Sequence, residues 1–202
     1  MNRLLKVSRL EGLTDGIFAV AMTILVLDLR LPAGAVDSTH LHFFLNGIYL
    51  KLFIYSGSFI ILGTLWIAMN FQFGILDHLN RTYLWCNIFY LMAICIVPFS
   101  ASLVAAFPNN ETSITFFAMN LLCCSLGQLL ISECARIYHL NGPRYTPAIR
   151  RAVLQRISVG PPFYIFSIVL ASVNTTIAFI ILIIPPLVYM IPGYVDQFDR
   201  EQ

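Results

Sequence analysis

The chain has 202 residues, 58% of them apolar and only 11% charged, where an average soluble domain carries about 25% charged residues. A mean hydropathy of +0.80 leaves too little polar surface to wet a globular exterior, which excludes an ordinary soluble enzyme and predicts an integral membrane domain. The net charge of +2 is too small an excess to point to nucleic acid as a partner.

Runs long enough to cross ~30 Å of hydrocarbon at 1.5 Å per residue lie near 13–31, 47–71, 83–107, 113–135, 157–173 and 175–193. The expected fold is therefore all-α, a single domain over 1–202 with six transmembrane helices. The last two runs form one apolar tract broken by Ser172-Val173-Asn174-Thr175-Thr176. One helix of that length overshoots a bilayer, so a tight hairpin is expected. Pro161-Pro162 suits a first helical turn, whereas Pro185-Pro186 should kink or shorten the sixth helix.

Six spans put 1–12, 72–82, 136–156 and 194–202 on one side of the membrane. Arg3, Lys6, Arg9, Arg81, Arg136, Arg144, Arg150, Arg151, Arg156 and Arg200 fall there, leaving Arg30 and Lys51 toward the other. The positive-inside rule then places both termini in the cytoplasm. An acid interrupts the first apolar run and no small-residue cleavage site follows it, so no removable signal peptide is expected. The loop 136–156 carries five arginines, which read either as a topology anchor or as a surface for anionic lipid headgroups or acidic partners. Cys86, Cys95, Cys123, Cys124 and Cys134 lie in or beside apolar runs without CxxC spacing, so they read as small buried hydrophobes, not as a zinc or disulfide framework.

The first helix holds the unusual residues. Ser8-Arg9-Leu10-Glu11 has capping-box spacing, which places the helix start just before Arg9. Asp15 and Asp28 enclose only the uncharged GIFAVAMTILVL, about 18 Å of helix, so one of the two acids must lie at membrane depth, shielded or facing water. At 100° per residue, Gly16, Val20, Thr23, Ile24 and Leu27 share a stripe beside the small residues Gly12, Gly16 and Ala19. Such stripes serve as helix-packing faces or line a water-filled path.

Arg9-Leu10-Glu11-Gly12-Leu13-Thr14-Asp15 resembles the Arg-x-x-x-Phe-Ser-Asp signature of the transmembrane protein 175 family of potassium channels in its prokaryotic six-helix form. Leu13 and Thr14 replace the signature's Phe and Ser. GIFAVAMTILVLDLRLP, Trp66, Leu84-Trp85-Cys86-Asn87 and Pro98-Phe99 are similar to the family's following segments, and the likeness covers about the first half of the chain. It implies a homotetramer in a prokaryotic cell membrane, with four first helices around a central pore and potassium as the permeant ion. It further implies that Val20, Ile24 and Leu27 form apolar constrictions and that Thr23 supplies a hydroxyl layer. Arg9, Thr14 and Asp15 take a bracing role, with Trp66 and Asn70 as partners; Asn70 falls near where relatives carry His.

No TVGYG-like segment is present, so selectivity cannot come from a carbonyl ring, and a Thr layer between apolar rings should select only modestly. Asp28 at one mouth, and Asp15 at the other if it faces water, would concentrate cations; Asp15 paired with Arg9 or with another subunit would instead be structural. Glu133 and Arg136 have the spacing of a local ion pair, and Gln128 that of an interhelical hydrogen bond. His40 and His42 lack a third ligand for a metal. The expected function is a passive, potassium-preferring cation channel without a cofactor. The alternative is a secondary transporter or proton-coupled carrier, against which stand the absence of an inverted repeat and of an intramembrane acid chain. HExxH and GxSxG are absent, so an enzyme is not expected.

Overall fold

A computed structural model describes residues 6–29 and 41–190, with side chains from 41 to 47 and at Asp28 outside the description. Its helices are α1 (Val7–Ile24), which tightens into a 3-10 turn over Leu25–Asp28, α2 (Leu41–Gly74), α3 (Arg81–Ala106), α4 (Glu111–Ile137), α5 (Pro147–Ile157), α6 (Gly160–Ala171) and α7 (Thr175–Met190). Among the described residues, five stretches are long and apolar enough to cross a membrane: Val7–Leu27, Ile48–Gly74, Arg81–Ala106, Glu111–Ile137 and Pro147–Ala171, with Thr175–Met190 a shorter apolar helix. The protein is an integral membrane protein. Helices suit that solvent because every interior backbone group is paired within the segment.

Three expectations need correction. The cap of α1 is Lys6, with no side-chain bond to the first turn, so Ser8 and Glu11 lie inside the helix and form no capping box. The arginine-rich segment 136–156 is not a plain loop, because Thr146 accepts from Ile149 N at 3.3 Å and Pro147 opens α5 there. Pro185 and Pro186 do not end α7, which continues to Met190 with both rings buried. Arg3, Arg30, His40, Tyr194 and Arg200 lie outside the described residues.

Asparagines start the long helices. Asn80 Oδ1 accepts from Tyr83 N at 2.7 Å, and Asn110 Oδ1 from Thr112 N at 2.8 Å, each satisfying an N–H that the helix itself leaves unpaired. The end of α4 closes through His139, at φ 53, with Leu140 N donating back to Ala135 O at 2.9 Å; this is a Schellman turn with His in the position glycine usually takes. Leu140 O then accepts from Asp77 N at 2.9 Å, tying the α2–α3 and α4–α5 connections together.

One core runs through α1, α2, α3, α4, α6 and α7, with Phe18, Leu62, Met69, Tyr90, Ile94, Phe117 and Leu182 all buried. Pro98 interrupts the α3 ladder, and the interruption is answered from α4. In the amide orientation that pairs both ends, Asn120 Nδ2 donates to Ala93 O and Oδ1 accepts from Val97 N, both at 3.1 Å. A side chain thereby pairs a carbonyl and an N–H of the turn just before the proline. The expected hairpin is present between α6 and α7: Asn174 Oδ1 accepts from Ile177 N at 3.0 Å, and Ser167 Oγ donates across it to Ala178 O at 2.8 Å. Gly160 opens α6 against α4, where an added Cβ would lie 2.6 Å from Ser125 Oγ.

Candidate functional site

The first helix has two unlike faces. Leu10, Thr14, Phe18, Ala21 and Leu25 are buried. Phe18 sits 6.3 Å, centroid to centroid, from the Tyr90 ring of α3. The opposite face is left open by the rest of the chain, with Val20 55%, Ile24 44% and Leu27 52% exposed. Because residues three apart eclipse in a 3-10 turn, the tightening after Ile24 keeps Leu27 in line with Ile24.

Thr23 lies within the open stripe, and its Oγ1 donates to Val20 O at 2.9 Å. With its proton engaged there, the hydroxyl presents lone pairs outward, so it can accept but has no second proton to give. Gly12 and Gly16 are also exposed, and a Cβ built on either would meet nothing within 4 Å. Their smallness therefore relieves no crowding inside this chain. Between Gly16, Val20 and Ile24 on one side and Cys95 and Pro98 of α3 on the other lies an apolar groove of about 420 Å³.

The residues expected to brace α1 separate into two sets. Trp66 Nε1 of α2 donates to Asp15 Oδ1 at 2.8 Å, a bond to a charged acceptor that fixes α1 against α2. Thr14, only 1% exposed, donates through Oγ1 to Asn87 Oδ1 of α3 at 3.4 Å. Arg9 is exposed, and among the described residues it forms no ion pair with Asp15. Asn70 is half-buried on α2. The side chain of Asp28 is outside the description.

Polar residues in the apolar helices hold the helices around α1. Gln128 Nε2 donates to Leu65 O at 2.9 Å and to Tyr90 Oη at 3.1 Å, the interhelical bonds its sequence position suggested. Glu133 binds Arg136 at 2.6 Å. The roles of Asn87 and Asn120 were missed; a lone Asn within an apolar run is the signal that could have found them. Cys124 and Cys134 are buried as expected, but Cys95 and Cys123 are exposed, because they fall on outward faces of α3 and α4.

Comparison with known proteins follows the same segments. Residues 9–98, which hold α1, α2 and most of α3, match the model of the family described as the endosomal/lysosomal potassium channel TMEM175. The chain is similar to that family over this segment. It is 25% identical over 82% of its length to a potassium channel of Streptomyces collinus, covering 82% of that protein, and 22% identical over 91% to a potassium channel of a Chryseobacterium species, covering 92% of that one. Its fold matches that of the lysosomal potassium-selective channel TMEM175 homolog from Chamaesiphon minutus, with a TM-score of 0.80 at 19% identity over 91% of this chain and 95% of that one.

Proposed function

We propose that the chain is a subunit of a homotetrameric, potassium-preferring passive cation channel, not an enzyme, with four copies of α1 around a central pore. The observation that carries this reading is the open stripe of α1. A helix so apolar must cover its exposed face, and Gly12 and Gly16, which relieve no crowding at home, let another helix approach closely. The names of the Streptomyces and Chryseobacterium relatives support potassium as the permeant ion.

In that assembly Val20, Ile24 and Leu27 form apolar rings that oppose hydrated ions and gate by dewetting. Thr23 contributes four hydroxyl oxygens whose protons are held by Val20 O, so an acceptor layer faces the ion. Such a layer replaces part of a hydration shell, which favours potassium because its shell is cheaper to strip than sodium's. Selectivity is accordingly modest. Asp28 attracts cations at one mouth, while Arg9, Thr14, Asp15, Trp66 and Asn70 brace α1. The whole chain, 1–202, forms one six-span unit in a prokaryotic cell membrane with both termini cytoplasmic and lipid around it, and it needs no cofactor.

The test is ion flux from liposomes holding the purified protein, driven in turn by potassium and sodium gradients, beside Thr23→Ala and Leu27→Ala. Downhill flux that needs no second ion, prefers potassium and changes in the two variants is the expected result. Flux that requires a second ion's gradient would support a carrier instead.

A further inference from the structure

A basic face at one end of the bundle is not used by the channel reading. There α5 lies against the ends of α2 and α4. Ile149, Val153 and Ile157, at i, i+4 and i+8, are buried against Phe71, Leu129 and Tyr145. The apolar stripe fixes which way the helix faces. Its other faces carry Arg150, Arg151 and Arg156, and from Arg136 to Arg156 the sequence holds five arginines and no Asp or Glu.

The acids described nearby are Glu133 and Asp77. Glu133 Oε2 accepts from Arg136 at 2.6 Å, and its Oε1 lies 3.6 Å from Arg150 Nη2. One carboxylate between two guanidinium groups leaves a net positive charge. Asp77, from the α2–α3 connection, lies 3.3 Å from His78 Nδ1. Arg156 is held inside the fold, donating to Tyr189 O at 2.7 Å with its guanidinium 4.8 Å from the centre of the Tyr189 ring. Arg144 and Arg151 are exposed, and neither forms an ion pair among the described residues. Arg150 Nε is buried without a hydrogen-bond partner there. This end therefore presents guanidinium groups short of anions, directly beside the point where α6 continues the apolar span Pro147–Ala171.

We propose that the face formed by Arg151 of α5 and Arg144 of the turn that leads into it, with Arg150 behind them, binds the phosphate of anionic phospholipid headgroups. The inference rests on the reading of these helices as membrane spans but not on ion conduction. Guanidinium matches the geometry of a phosphodiester through paired N–H donors, and each basic residue at such a surface strengthens anionic lipid binding roughly five-fold. The buried Ile149, Val153 and Ile157 hold α5 against the bundle with Arg151 on its outer side.

The experiment is native mass spectrometry of the delipidated full chain in neutral detergent, titrated with phosphatidylglycerol or phosphatidylcholine. The parent should retain phosphatidylglycerol preferentially, and Arg144→Gln with Arg151→Gln should weaken that retention by roughly 25-fold. Arg151→Lys, which keeps the charge but not the paired donors, should retain more phosphatidylglycerol than Arg151→Gln, which separates lost charge from lost folding. Lys51→Gln, toward the opposite end of the bundle, should behave as the parent. Equal retention of both lipids, unchanged phosphatidylglycerol binding in the double variant, or displacement of the lipid by millimolar inorganic phosphate would overturn the proposal, the last by indicating a site for free anions. Because no ion gradient is involved, a failed flux assay and a failed lipid assay remain distinguishable.

Discussion

The first and fourth helices are both apolar enough to cross a membrane, yet half of the apolar window of α4 is buried within the chain and only 28% of that of α1. The difference lies in polar anchoring. α4 sends Gln128 to α2 and α3, lends Asn120 to the Pro98 interruption, and receives Gly160 of α6 in close contact. α1 is anchored along one side only, through Phe18, Thr14 and the Asp15–Trp66 bond. Hydropathy alone therefore separates lipid-compatible helices from the rest, and placement is decided by where small and polar residues find partners.

That contrast can be broken most severely at the buried side of α1. Phe18→Ala removes a ring that is 1% exposed, and should destabilise the subunit by about 3–5 kcal/mol, read as loss of folded protein in a detergent denaturation series. On α4, the crowding at Gly160 predicts that Gly160→Ala costs about 1–3 kcal/mol through overpacking, visible as a lower melting midpoint. Trp66→Phe keeps an aromatic ring, though a smaller one, and deletes the donor to Asp15, with an expected loss of about 1 kcal/mol and a more mobile α1 by hydrogen exchange. The smallest effect on stability belongs to the open face: Thr23→Val should stay within about 0.5 kcal/mol of the parent while altering the potassium-to-sodium flux ratio. An equal stability loss at Phe18 and Thr23 would erase the distinction between the two faces.

Much of this was legible in the sequence. The stripe of Val20, Thr23, Ile24 and Leu27 follows from 100° periodicity, and it survives the 3-10 tightening because i and i+3 stay aligned. α3 and α4 announce themselves by Asn caps before long apolar runs. The start of α1 was obscured because Ser8 and Glu11 mimic a capping box inside a helix that begins at Val7. α5 was hidden by its arginines, although Ile149, Val153 and Ile157 already had helical spacing. The pairing of Asn120 with Ala93 and Val97 joins segments over twenty residues apart in sequence, so no local pattern encodes it. The resemblance implied bracing by Arg9, Thr14 and Asp15 with Trp66 and Asn70 as partners, but which group meets which emerges only when α1 is packed against α2 and α3.

The central claim is that the open face of α1 lines a path shared by several copies. It is tested most directly by single cysteines placed at Thr23 and at Met22, in a background lacking the five native cysteines, with liposome potassium flux measured before and after a charged thiol reagent. The account predicts block at position 23 and little change at position 22, which is half-buried against α2. Flux insensitive to modification at 23, in protein shown by mass to be labelled there, would contradict it.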